Sequence, residues 1–130
     1  MATMTVTFEK LHQDSQDYGS DEEHMISRAF CDISFQGKTL SECTVDLKQT
    51  VGSDFEKDPL EVSNLRGYEG PIDSSEMRNC AESYFRLAVG RYGTVFRIEG
   101  GSNVRMRDNW IHMQETYTFE VDPHAQVAGW

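Results

Sequence analysis

Residues 25–51 read MISRAFCDISFQGKTLSECTVDLKQTV, and this stretch decides the fold class. Its odd positions carry Met25, Ala29, Cys31, Ile33 and Phe35, then Cys43, Val45, Leu47 and Val51. The even positions carry Arg28, Asp32, Ser34, Glu42, Thr44, Asp46 and Lys48, with Ile26, Phe30 and Leu40 as apolar exceptions. Successive side chains of a strand point to opposite faces, so this alternation describes two strands sharing one buried face. Gln36-Gly37-Lys38 breaks the pattern where a hairpin turn is needed. A loop of those three residues pairs Phe35 with Thr39, Ile33 with Ser41, Cys31 with Cys43 and Ala29 with Val45, which keeps both apolar faces on one side. Cys31 and Cys43 then stand opposite each other, within reach of a cross-strand disulfide. The sparse cysteine content favours reading them as small buried hydrophobes instead.

Working outward toward the N-terminus, Met4, Val6 and Phe8 alternate with threonines, which predicts a strand over Met4 to Leu11. Thr3, Thr5 and Thr7 on its polar side suggest an uncharged sheet edge. His12 to His24 holds Asp14, Asp17, Asp21, Glu22 and Glu23 and reads as a mobile acidic loop at about 12–24. On the other side of the hairpin, Gly52 to Gly70 is loop-rich, with a short strand at Leu60 to Val62.

A helix follows over about 73–89. Asp73 and Glu76 are spaced as a capping box, and Ile72 and Met77 as a hydrophobic staple. Met77, Cys80, Ala81, Tyr84, Phe85 and Ala88 recur at helical steps on one face, with Glu82 and Arg86 as an i,i+4 pair outside it. Gly90 and then Gly93 supply the stop. Beyond lie a strand at Thr94 to Glu99, a turn at Gly100 to Asn103, the start of a returning strand at Val104 to Arg107, and alternation from Ile111 through Val121. The order β-β-β-β-α-β-β describes an α+β fold, a mainly antiparallel sheet packed against one principal helix. Closure of that sheet to a barrel or sandwich is left open.

The 130 residues fit a single domain spanning 1–130. Twenty-two acidic against twelve basic side chains give a net charge of −10. Such a field repels nucleic-acid backbones and anionic membranes and suits a partner with a basic surface. Three cysteines and no leader-like pattern in Met1 to Lys10 point to the cytoplasm.

Motifs for chemistry fail one by one. Setting Asp14 first in a calcium loop puts Gly19 where glycine is wanted, but Gln16 and Tyr18 occupy ligand positions and Met25 replaces the closing glutamate. The cysteines lack zinc-finger spacing, and His112 and Glu115 belong to a strand, where they point apart. Gly90-Arg91-Tyr92-Gly93 and Gly100-Gly101-Ser102-Asn103 match no phosphate-binding fingerprint. No metal and no cofactor are expected, and binding is favoured over catalysis.

Three functions fit. The first is a small acidic interaction protein, an inhibitor, immunity-type or assembly factor, meeting a basic partner through Asp14, Asp17, Asp21, Glu22, Glu23, Asp54, Glu56 and Asp58. The second is a small-molecule or anion-binding domain, or a small enzyme, with a pocket between sheet and helix. Tyr84, Phe85, Trp110 and Tyr117 would line it, and Arg97 or Arg105 would meet an anion; six of the eight arginines lie from Arg78 to Arg107. The third is a self-assembling structural protein, a homo-oligomer formed through the edge at Met4 to Leu11.

Overall fold

Residues 1–16, 24–50, 57–93, 96–99, 102–105 and 110–125 are described by this computed structural model, those at 14–16, 24–25, 96–99 and 102–105 by their backbone alone. The chain runs β1 (Ala2–Gln16), β2 (His24–Phe35), β3 (Lys38–Thr50), β4 (Glu61–Arg66), α1 (Ser74–Tyr92), β5 (Phe96–Glu99), β6 (Ser102–Arg105) and β7 (Trp110–Val121). Five strands form one antiparallel sheet in the order β4-β3-β2-β1-β7, and β5 and β6 pair separately. The sheet is open, not a barrel, and its two ends are β4 and β7. The segment returning after the helix is divided: β6 pairs with β5, whereas β7 pairs with β1.

β1 is interior, hydrogen-bonded to β2 on one side and β7 on the other, so the edge expected at Met4 to Leu11 does not exist. β1 is also longer than its alternation suggested. A bulge at Glu9 shifts the register between Phe8 and Lys10 on both sides. Met4, Val6 and Phe8 are buried before it, Leu11 and Gln13 after it. The extra residue inverts the parity, and the buried polar Gln13 hides the continuing core stripe. Residues 12–16 of the expected acidic loop are therefore strand, and 17–23 lie outside the described residues.

The central hairpin keeps the expected pairs Cys31 with Cys43 and Ala29 with Val45 but reaches them differently. Its turn is tighter, with Phe35 opposite Lys38 and both Gln36 (φ 51°) and Gly37 (φ 79°) left-handed, as a two-residue hairpin turn requires. A bulge then restores the register: Asp32 faces two residues between the Ile33–Leu40 and Cys31–Cys43 pairs. Glu42 takes a left-handed φ of 59° there, and its N–H donates to Asp32 Oδ1 at 3.2 Å. Both cysteines are free, buried thiols.

α1 begins as its sequence dictates. Asp73 accepts a hydrogen bond from the Glu76 N–H at 3.1 Å, and the staple residues Ile72 and Met77 are both buried. Gly90 continues the helix. Gly93, at φ 72° and ψ −170°, ends it, a conformation open essentially to glycine alone. Glu82 and Arg86 pair at 2.9 Å. Asp73→Ala removes the cap without touching the core, and a loss of about 1 kcal/mol in unfolding free energy is expected by urea titration. No change would mean that the staple alone fixes the helix start. Met77, Cys80, Ala81, Tyr84, Phe85 and Ala88 pack on one face of the sheet, against Met4, Val6, Phe8, Ile33, Val45 and Ile111.

Candidate functional site

The helix covers one face of the sheet, and the site is built on the other. There the alternation that buries Ala29 and Cys31 turns Arg28 and Phe30 outward, and the bulge at Glu9 does the same for Lys10. Without the extra residue Lys10 would follow Phe8 into the core; with it, Leu11 takes that place. Lys10 then sits with its Nζ 4.8 Å from the Trp110 ring centre and 5.2 Å from that of Phe30. A cation over an aromatic face is held by the ring quadrupole, so these three side chains order one another.

The cluster extends through register. β7 starts with Trp110 opposite His12, and Lys10 faces His112. The Phe30 and Trp110 rings are 5.3 Å apart, His12 meets Trp110 edge-on at 4.7 Å, and His112 stacks on it at 6.3 Å. His12, Ile26, Arg28, Phe30 and Trp110 line a cleft of about 360 Å3. Across Phe30 a second, of about 390 Å3, lies between Lys10, Asp32, Glu42 and His112.

Arg28 is fixed from the neighbouring strands. Its Nε donates to Asp46 Oδ1 at 2.8 Å, while Asn64 and Arg66 approach the other Asp46 oxygen at 3.2 and 3.8 Å. That hydrogen bond raises the Arg28 pKa against a smaller lowering by burial. Away from the cluster the face is polar. Thr3 donates to Glu120 at 2.8 Å, Thr7 and Thr116 lie 3.2 Å apart, and Gln114 donates to Glu9 at 3.3 Å.

Of the residues expected to line a pocket between sheet and helix, Tyr84 and Tyr117 meet at Phe8 on the helix-covered face, and Trp110 does not join them. Tyr84 is fully buried, stacked on Phe8 at 4.6 Å, and its hydroxyl donates to the Met113 carbonyl at 2.6 Å. Tyr117 meets Phe8 edge-on from the same side, its buried hydroxyl without a partner among the described residues and its pKa pushed up to about 12, chiefly by burial. Trp110 stands on the opposite face. Arg97 and Arg105 belong to the separate β5–β6 ribbon, opposite Val104 and Phe96, and their side chains lie outside the description.

Of the acidic set, Asp17, Asp21, Glu22, Glu23, Asp54 and Glu56 lie outside the described residues, and Asp14 is placed by its backbone opposite Ile26. Asp58 is described; its carbonyl accepts from Gln49 at 2.9 Å and from Arg86 at 2.8 Å. Gln16 pairs with His24 and His24 with Thr50, so these described strand ends lie side by side at the end of the sheet that carries Trp110. Sequence reasoning passed over the aromatic cluster, although Ile26 and Phe30 signalled it as apolar residues on an otherwise polar face.

Among the described residues no group of three His, Cys, Asp or Glu side chains could hold a metal ion. No described helix is long and apolar enough to cross a membrane. No protein-family model, curated protein sequence or solved structure matches this chain.

Proposed function

We propose that this chain is a small interaction protein that docks a partner with a basic surface on the face of its sheet opposite the helix. The observation that carries this reading is the Lys10–Phe30–Trp110 cluster on the sheet face opposite the helix. Half-buried aromatic rings between shallow clefts are the usual anchors of an interface, and surrounding charge sets encounter rate and partner choice. The net charge of −10 steers a cationic partner toward the molecule. Free thiols suit a reducing, cytoplasmic setting.

The test uses Trp130→Phe, which leaves Trp110 as the sole tryptophan reporter. Titration with poly-L-lysine at low salt is expected to shift or quench Trp110 emission, and added salt to reverse the change. Glu22→Gln with Glu23→Gln should weaken the response, whereas the equally charged control Glu69→Gln with Glu76→Gln, at the other end of the sheet, should not. Equal weakening by both pairs would reduce the acidic segments to a solubility device. A response to oligothymidylate but not to poly-L-lysine would overturn the proposal in favour of nucleic acid.

A further inference from the structure

The two edges of the sheet are unequal. β4 is short, its pairing with β3 shifts register between Thr44 and Asp46, and Asn64 takes a left-handed φ of 56°. A short, kinked edge strand is a poor template for another chain. β7 is twelve residues long, contains no proline and no lysine, and has no positive-φ residue. Among the described residues no strand pairs with its outer side. Its pairing with β1 shifts register between His112 and Glu115, but among the described residues neither proline, lysine nor another strand guards its outer side.

We infer that two copies of this chain join antiparallel through their β7 edges, about a two-fold axis at Thr116, into one continuous sheet. Residues directly opposite one another share a face in any antiparallel pair, so the axis of a symmetric dimer must fall on a residue. The strand is nearly centred on Glu115 and Thr116. An axis at Glu115 would set that carboxylate against its own copy, a destabilising like-charge pair.

An axis at Thr116 uses the strand from Ile111 to Val121. It sets Ile111 opposite Val121 and Met113 opposite Phe119 on the helix-covered face, apolar with apolar. On the other face it sets Gln114 opposite Thr118 and, twice by symmetry, His112 opposite Glu120. His112 and Glu120 are both exposed, and Thr3 engages only one Glu120 oxygen, Oε1. The imidazole N–H and the remaining carboxylate oxygen are complementary partners. The occupant that fits this edge is thus a second copy. The joined sheet would carry two Lys10–Phe30–Trp110 clusters on one face, although dimerisation does not depend on what those clusters bind.

Sedimentation or light scattering from low to high micromolar protein, at an ionic strength that screens the net charge, should show the mass doubling with concentration. Glu120→Lys is expected to raise the dimer dissociation constant about tenfold or more by facing His112 with a cation. His112→Glu combined with Glu120→Lys sets a carboxylate against an ammonium across the same pair and should restore the dimer, which a register that does not place residues 112 and 120 opposite would not do. A mass that stays monomeric throughout overturns the inference. So does a dimer indifferent to Glu120→Lys, or one that the double variant fails to rescue.

Discussion

Tyr84→Ala is expected to cost about 3–5 kcal/mol of unfolding free energy, the largest effect of any single substitution considered. A domain of this size is stable by only about 5–15 kcal/mol, so the variant should be close to unfolding at room temperature. The reason is where Tyr84 sits. From the middle of α1 it stacks on Phe8 of the interior strand and, 2.6 Å away, donates its hydroxyl to the carbonyl of Met113 on the edge strand. One side chain ties the helix to two strands. Tyr84→Phe keeps the ring and removes the hydrogen bond, and should cost about 1 kcal/mol. Urea titrations of both variants separate the contributions. Equal losses would show that the hydrogen bond, and not the stacked ring, holds the helix down.

Raising the pH above about 9 is expected to destabilise the protein steeply, because its buried thiols and phenols resist ionisation in the fold. Burial, then Cys43, then Asp32 push the Cys31 pKa far up, and burial followed by Glu76 takes Cys80 to about 11. Tyr84 and Tyr117 are raised chiefly by burial as well. In the unfolded chain the same groups lose their protons near their ordinary values. The folded form therefore binds more protons in the window between. Stability from these groups is complete below the unfolded thiol value and is lost as pH rises through the folded one. Cys31 alone, only 1% exposed, contributes a slope of about 1.4 kcal/mol per pH unit in that window. Urea midpoints at mildly and strongly alkaline pH should fall accordingly, and Cys31→Ala should flatten the slope. A midpoint constant across the window would contradict the burial that places these groups.

Much of the architecture is written in local patterns. The Asp73 cap, the buried staple pair Ile72 and Met77 and the Glu82–Arg86 pair all occur where their spacing puts them, because each depends on residues within one or two helical turns. The Cys31–Cys43 pairing was likewise legible from parity. Its turn was not. The tight left-handed pair Gln36-Gly37 and the compensating bulge at Glu42 cancel, so a looser turn with no bulge predicts the same partners. Of the aromatic cluster, Ile26 and Phe30 could be seen as misplaced, but Lys10 could not, because the bulge at Glu9 decides which face it occupies. That bulge leaves no mark in composition.

Sequence alone determined that the chain forms an antiparallel sheet with one capped helix, since period-two and helical apolar stripes each bury one face of their own element. Strand pairing between distant parts of the chain is what places the first strand inside the sheet and makes β7 its long edge. These depend on which strands pair across more than a hundred residues of chain, from Ala2 to Val121. Such a choice is made by the fit of whole faces to one another, and no local pattern encodes it.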